Sequence, residues 1–258
     1  LEAAKIVGKV LHGGRNLTEV LGESLRTHSG YSAQERGALQ DLCYGSLRHY
    51  SRLAFIMERL LERPVRESQL RCLLLVALYQ LQHTRAGQHA IVDQAVQAAK
   101  INNAAASGLV NAVLRNYLRQ QAELLQAADS KEESRYSYPQ WWIDMLHAQY
   151  GDRSGGIMQA GNHHPPMTLR VNLRKTTAAE YLALLSQQGI AAHLVGAEAL
   201  MLERPLAVES LPEFSAGYAS VQDAGAQYAA HLLDVHDGMR VLDACAAPGG
   251  KSAHLLEL

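Results

Sequence analysis

The sequence predicts a multidomain chain in which an all-α helical bundle is followed by a small α+β region and then by the start of an α/β domain. Three observations predict this order. Apolar residues recur at helical spacing as far as about Tyr117, and residues 126–137 are polar without periodicity. A strand-like segment, Met239–Asp243, then enters a glycine-containing loop and a last helical segment. We therefore place the domains at residues 1–128, 129–216 and 217–258.

The bundle is predicted from stripes of apolar residues. Leu53–Leu61 forms one such stripe, which ends at Pro64 because proline cannot donate a hydrogen bond inside a helix. Leu73–Leu81 is apolar on nearly all sides, which indicates a buried central helix. Two more stripes follow at Ile91–Ala99 and Leu109–Leu118. About six helices joined by short polar turns make a compact bundle.

The middle of the chain mixes helical and strand-like patterns. Pro139 suits the first turn of a helix that presents Trp141 and Trp142, while residues 126–137 are interpreted as a linker. This mixture predicts an α+β region. Its expected strands are Thr168–Asn172, His193–Val195 and Leu200–Leu202, and its expected helices are Thr177–Gln188 and Gln222–Leu233.

Composition narrows the class of protein. The 258 residues are 48% hydrophobic and 19% charged, which is typical of a globular protein and not of a disordered or fibrous one. No apolar run reaches membrane-spanning length and the N-terminus lacks signal-peptide features, so we expect a cytoplasmic protein. The three cysteines are odd in number and unevenly spaced, which favours neither disulfides nor zinc. His163-His164 precedes two prolines and predicts a turn, and we expect no metal.

Charge is unevenly distributed, with 15 Lys and Arg against 11 Asp and Glu through Asp129, and 9 against 14 afterwards. A mildly basic front part suits a polyanionic partner, although scattered solvated charges explain it equally well. Four residues lie at near-helical spacing, namely Arg36, Arg48, His49 and Arg52. Their side chains could bind RNA phosphates, or could simply be solvated. The same ambiguity applies to Asn102, Asn103 and Asn111.

The segment Val241–Ser252 has the layout of a nucleotide-type cofactor site, a strand followed by a tight loop and a helix. Gly249 and Gly250 allow the backbone to approach a ligand, and the helix after them offers free N–H groups. Glycines at such a turn also occur for packing alone. A phosphate loop of NTPases is disfavoured, because Cys245 stands where its first glycine is needed and Pro248 has no N–H to donate.

The motif Asp243–Lys251, DACAAPGGK, resembles the first S-adenosylmethionine-binding motif of the RNA cytosine-C5 methyltransferases, the RsmB/Sun (Fmu) and NOL/NSUN group. Pro165–Asn172 and Gly217–Asp223 resemble the segments that precede the catalytic fold in that family. Arg36–Arg52 and Ser107–Arg115 resemble the NusB-like helical domain of the RsmB type. The resemblance covers essentially the whole chain.

The resemblance implies a NusB-like RNA-binding domain and the beginning of a Rossmann-like methyltransferase domain, with small-subunit (16S) ribosomal RNA as substrate. In the family a cysteine thiolate attacks C6 of cytosine so that C5 takes the methyl group. Such cysteines belong to later motifs, so we expect the catalytic residues beyond Leu258, and a truncated chain that is inactive alone. The residues expected to contact S-adenosylmethionine are Cys245, Ala246, Ala247, Pro248, Gly249, Gly250 and Lys251.

Two alternatives stay open. NusB-like bundles also serve alone as non-catalytic RNA-binding or antitermination factors, and such a factor would not need the glycine loop. A catalytic domain of the same kind could instead act on transfer RNA. The sequence predicts neither the target nucleotide nor the oligomeric state.

Overall fold

The computed structural model describes all 258 residues, which form two compact units, Leu1–His163 and His164–Leu258. The first unit is entirely helical, which confirms the predicted helical front part. Residues 2–119 form seven helices where the apolar pattern indicated about six. They are α1 (Glu2–Leu11), α2 (Leu17–Thr27), α3 (Ala33–Arg48), α4 (Tyr50–Leu60), α5 (Ser68–His83), α6 (Gln88–Asn102) and α7 (Ser107–Arg119).

Helix α5 is the centre of the bundle. From Leu70 to Leu81 nearly every side chain is buried, and Cys72, Leu74 and Leu78 are fully enclosed. Helices α1, α3, α4 and α6 pack around it. A helix that is apolar on most sides is stable only when neighbours cover it, and this arrangement confirms the buried central helix predicted over Leu73–Leu81.

A close approach between α3 and α5 depends on Gly45. A Cβ atom at this position would lie 2.0 Å from Cζ of Tyr79, far inside van der Waals contact. The Tyr79 hydroxyl donates to Oδ1 of Asp41 at 3.1 Å, which holds the ring against α3. Glycine is therefore required at position 45 as long as Tyr79 occupies this place.

The segment predicted as a linker, residues 126–137, is mostly helical, so that prediction is wrong. Helices α8 (Gln121–Asp129) and α9 (Glu132–Tyr136) both pack against α4. Leu124 and Tyr136 are buried there. These short helices contain too few apolar residues to produce a periodic pattern. Their stability comes from tertiary packing and not from intrinsic helix propensity.

Helices α10 (Gln140–Tyr150) and α11 (Ser154–Asn162) complete the first unit. Pro139 directly precedes α10, as expected for a residue with a fixed backbone angle at a helix start. Trp141 is 62% exposed and Trp142 is 36% exposed, so α10 presents both indoles at the surface, as the sequence predicts.

The second unit contains a four-stranded antiparallel sheet with strand order β2-β3-β1-β4. The strands are β1 (Thr168–Val171), β2 (Ala192–Leu194), β3 (Ala199–Leu202) and β4 (Ala219–Val221). The first three match the predicted strands, whereas β4 was not predicted. Helix α12 (Ala178–Gln187) starts at a capping box between Thr177 and Glu180. The core beneath it contains Leu169, Val171, Tyr181, Leu185 and Leu200.

Two further helices, α13 (Ala224–Leu233) and α14 (Gly250–Glu257), pack against each other. The predicted strand Met239–Asp243 between them is not formed, and none of the four strands pairs with it. Leu242 is 89% exposed. A strand requires a neighbour to accept its ladder of hydrogen bonds, and this segment has none.

The compact units divide the chain after His163, whereas the sequence-based boundaries follow residues 128 and 216. Those boundaries, and the assignment of residues 217–258 to a Rossmann-like domain, stay predictions. None of the helices combines the length and the apolar character that crossing a bilayer requires.

Candidate functional site

Asp243 organises the loop between α13 and α14. Its Oδ1 accepts a hydrogen bond from the backbone N–H of Cys245 at 3.0 Å, and its Oδ2 accepts one from the Ser252 hydroxyl at 2.5 Å. The bond from Ser252, followed by the bond from Cys245, lowers the pKa of the Asp243 carboxyl. An ionised Asp243 therefore ties the start of the loop to the first turn of α14.

Gly249 ends the loop in a conformation that suits glycine. Its φ is +106° and it is the N-cap of α14, a backbone geometry that any side chain would strain. The peptide bond before Pro248 is cis. The N–H groups at positions 250–252 open the helix and have no acceptor within it. Free N–H groups at a helix N-terminus suit an anionic group, and the binding role predicted for this turn stays a prediction.

A cavity of about 320 Å³ lies beside this loop. Of the seven residues predicted to bind the cofactor, Cys245 and Lys251 line the cavity, and Ala246–Gly250 form the mostly exposed turn next to it. Its other walls are mainly apolar side chains of α13 and α14, including Leu233 and Leu255. Apolar walls combined with a lysine and free N–H groups fit a ligand with an apolar part and an anionic group.

Arg170 holds α14 against the sheet. Its side chain is fully buried on β1, and Nε and Nη2 donate to the two carboxylate oxygens of Glu257 at 3.1 and 2.8 Å. Its Nη1 donates to the backbone oxygen of Gly250 at 2.7 Å and also to Gln222. A bidentate pair of this kind fixes both distance and orientation, so one guanidinium contacts both ends of α14.

Sequence reasoning missed this contact. The signal was an arginine inside an otherwise apolar strand, since long charged side chains are rarely fully buried unless they are paired. Glu257 is 87 positions away, and no local pattern connects the two residues.

The cysteines occupy three different environments. Cys43 and Cys72 are buried in the bundle, as expected from their apolar helical faces. Burial raises the pKa of the Cys43 thiol to about 12 and also raises the pKa of Cys72. Neither is a reactive thiolate at neutral pH. Cys245 is exposed in the loop.

The four residues predicted to contact RNA do not form one group. Arg48, His49 and Arg52 lie where α3 ends and α4 begins, whereas Arg36 lies about 18 Å along α3. Arg36 donates to the backbone oxygens of Ser29 and Tyr31.

Two of the three grouped residues are already engaged within the protein. Arg52 forms a salt bridge with Asp129. The His49 ring stacks on His83 with centroids 4.3 Å apart, and burial lowers the pKa of His49 to about 4, so it is neutral at physiological pH. Arg48 has no salt-bridge partner and is the cation most available to a phosphate. Whether these residues bind RNA stays a prediction.

Two of the three asparagines singled out in the sequence have side-chain partners. Asn103 donates to Glu67 at 3.1 Å, and Asn111 accepts from Arg115 at 3.0 Å. His163 follows the last turn of α11, and Nδ1 of His164 contacts only the backbone oxygen of Pro165. Neither histidine belongs to a group with metal-ligand geometry.

Two protein families match this chain. Residues 2–119 match the NusB family, and residues 138–209 match the ferredoxin-like domain of the RsmF/B-like methyltransferases. The first match covers the bundle α1–α7, and the second covers α10, α11 and most of the sheet.

Curated relatives match along nearly the whole chain. The chain is 42% identical over 260 aligned residues to the ribosomal RNA small subunit methyltransferase B of Pectobacterium atrosepticum, covering 99% of this chain and 60% of the relative. It is 39% identical to the probable ribosomal RNA small subunit methyltransferase B of Coxiella burnetii, covering 99% of this chain and 59% of that protein. The chain thus spans about 60% of the length of the curated relatives that it matches.

A solved structure has a similar fold. The crystal structure of PH0851 superposes with a TM-score of 0.66 at 19% identity, covering 99% of this chain and 59% of that one. At this identity the likeness concerns the fold alone.

Proposed function

The resemblance to the RsmB/Sun family is confirmed by the two family domains and by relatives that match along nearly all of this chain, and on this premise we propose that the chain is the RNA-binding and cofactor-loop part of an S-adenosylmethionine-dependent methyltransferase. The proposed reaction is methylation of C5 of a cytosine in 16S ribosomal RNA. The observation that carries the proposal is one chain that combines a NusB-family bundle with the loop Asp243–Lys251. An rRNA substrate also accounts for the expected cytoplasmic location.

S-adenosylmethionine supplies an electrophilic methyl group when it is bound. The N–H groups at positions 250–252 would hold its anionic end, because they have no acceptor within α14. Gly249 gives the backbone the conformation that lets the loop approach the ligand. Cys245 and Lys251 line the cavity beside the loop. Arg170 holds the helix that carries these groups and so positions them indirectly.

No cysteine of this chain is proposed as the nucleophile. Cys43 and Cys72 are enclosed, and burial raises the pKa of both thiols. Cys245 belongs to the proposed cofactor loop, where its backbone N–H is engaged by Asp243. We therefore expect the 258-residue chain to transfer no methyl groups to rRNA by itself.

Cofactor binding tests the first part of the proposal. S-adenosylmethionine is titrated into the 258-residue chain by calorimetry, and the variant Gly249→Ala is expected to bind about tenfold more weakly or worse because its backbone is strained. Gly189→Ala is the matched control, since Gly189 also has a positive φ, +71°, at the end of α12. Equal affinity of both variants and the unaltered chain would contradict the assigned loop.

Substrate and position are tested in cells. Deleting the gene is expected to remove one 5-methylcytosine from 16S rRNA, read by bisulfite sequencing, and the intact gene is expected to restore it. Loss of the mark from a transfer RNA would support the alternative substrate instead. An unchanged pattern in both RNAs, together with RNA binding by the chain, would favour a non-catalytic NusB-like factor.

A further inference from the structure

Three side chains from separate elements of the second unit meet beside the sheet. Glu198 immediately precedes β3, His231 lies on α13, and His254 lies on α14. Oε1 of Glu198 is 2.7 Å from Nε2 of His231 and 2.8 Å from Nε2 of His254. Their potential ligand atoms all lie within 4.8 Å of one another.

Several polar atoms of this cluster have no hydrogen-bond partner in the protein. Glu198 and His254 are 3% and 2% exposed. Oε2 of Glu198 and Nε2 of His254 are buried without a hydrogen-bond partner, because the 2.8 Å approach of Nε2 to Oε1 lacks hydrogen-bond geometry. Buried polar atoms are normally satisfied, and leaving one unpaired costs about 1–3 kcal/mol. The arrangement therefore points to a ligand that these atoms share.

The cluster has access to solvent on one side. The side chain of His231 is 45% exposed, and a small cavity of about 90 Å³ is lined by residues 195–199 together with Gln227 and His231. Glu198 and His231 therefore face a cavity that is open to solvent.

The donor set selects a class of ion. Two imidazole nitrogens and a carboxylate suit transition-metal dications such as Zn²⁺, which binds three protein ligands and leaves a fourth position open. Calcium and magnesium require sites made mainly of oxygen ligands.

We propose that Glu198, His231 and His254 bind a Zn²⁺-class divalent ion that joins α13 and α14 to the sheet. Each Nε2 coordinates the ion and releases any proton that it holds to solvent, and Oε2 of Glu198 gains a partner. Because α14 directly follows the proposed cofactor loop, an ion at this site holds in place the helix on which the loop ends. The ligands are 33 and 23 positions apart, so no sequence spacing indicates the site.

The 258-residue chain provides the test. After treatment with a chelator and its removal, Zn²⁺ is titrated by calorimetry and Co²⁺ is used as a probe with visible absorption. One equivalent is expected to bind. His231→Ala changes an exposed side chain and leaves the core intact, and it is expected to weaken Zn²⁺ binding about tenfold or more, as loss of groups supporting a metal typically does. His231→Asp supplies a carboxylate oxygen in place of the imidazole nitrogen and is expected to restore part of the affinity lost in His231→Ala.

His236→Ala is the matched control, because His236 is an exposed histidine near His231 whose side chain is 67% exposed. This variant is expected to bind Zn²⁺ as the unaltered chain does, and Mg²⁺ is expected not to compete. The proposal is overturned if the unaltered chain binds no Zn²⁺, or if His231→Ala binds it equally well. Equal weakening by His231→Ala and His236→Ala would likewise overturn it, since binding would then be adventitious at surface histidines.

Discussion

The two units bury different kinds of side chain. Around α5 the first unit encloses almost only apolar side chains, whereas the second unit encloses Arg170, Glu198, Gln222, Gln227 and His254. Apolar burial has no preferred direction and is shared among many contacts. A buried charge requires particular partners in particular places, and it is costly without them. The bundle should therefore tolerate many small changes, whereas the second unit should depend on a few residues.

Replacing Arg170 with Met is expected to have the largest effect. It leaves Glu257 and Gln222 without their buried partner, and breaking such a pair costs about 3–5 kcal/mol in the free energy of unfolding. Hydrogen exchange of the β1 and β3 amides measures this loss in the second unit. Arg174→Met is the control, because the guanidinium of Arg174 reaches only the backbone oxygen of Leu256.

The double variant Arg170→Met with Glu257→Met sharpens the comparison. Replacing both charges with apolar groups is expected to recover part of the loss, since a buried pair is often no more stable than a well-packed apolar replacement. If Arg170→Met alone costs no more than Arg174→Met, the second unit does not depend on this ion pair.

In the bundle, Leu74→Ala is expected to lower the free energy of unfolding by about 2–5 kcal/mol, because it leaves a cavity in a fully buried position. Urea denaturation followed by circular dichroism measures the change. Leu109→Ala is the control on α7, where the side chain is 40% exposed, and it is expected to cost less than about 1 kcal/mol. Equal costs would mean that the bundle core is loosely packed.

Acid is expected to destabilise the bundle through His49. Burial, followed by repulsion from His83, Arg48 and Arg52, lowers the pKa of His49 to about 4, whereas the unfolded chain binds the proton near pH 6.5. The unfolded state therefore takes up protons first, and stability falls as the pH drops from about 6.5 to about 4. After allowance for solvent screening we expect a loss of about 1–2 kcal/mol.

Urea denaturation at several pH values checks this expectation. His49→Phe retains the stacking on His83 and is expected to flatten the dependence on pH in that range. The exposed His12 provides a control, since His12→Phe should leave the slope unchanged. Tyr79 and Asp41 also face this stack, so a slope that persists in His49→Phe would assign the effect to His83.

The smallest expected effects are alike in both units. Asn16 caps α2 through its side chain, and Thr177 caps α12. Each replacement with Ala is expected to cost about 1 kcal/mol, because an N-cap acts locally. Thermal unfolding measures both losses of stability. Ser29→Ala is the control, because Ser29 is not the N-cap of a helix. A much larger cost at Thr177 would show that even local contacts in the second unit support its polar core.

The helical bundle was predictable because the apolar spacing that indicates a helix lies within the helix itself. The stripe Leu73–Leu81 identified the central helix, and its burial confirms that prediction. The first three strands and α12 were also predicted, the helix from its apolar run and Gly189. By contrast, α8 and α9 were missed because few of their side chains are buried, and strand Met239–Asp243 was wrongly predicted because apolar composition does not supply a neighbouring strand.

The candidate site was predictable only in part. The motif Asp243–Lys251 located the loop, since glycine and the residues around it are contiguous in sequence. The residues that hold the loop in place were missed, because Arg170 and Glu257 are distant in the chain. The cluster of Glu198, His231 and His254 was missed for the same reason, and the expectation that the chain has no metal rested on local ligand spacing alone.

The ion pair between Arg170 and Glu257 also affects the order in which the two units can fold during synthesis. Glu257 is made 87 residues after Arg170, which at about 5–20 residues per second corresponds to a delay of about 4–17 s on the ribosome. During this interval β1 carries a charge that has no partner, so the strand is expected to remain hydrated and its sheet incomplete. The first unit ends at His163 and its core contains no residue of the second unit, so it can finish folding before α14 has been made.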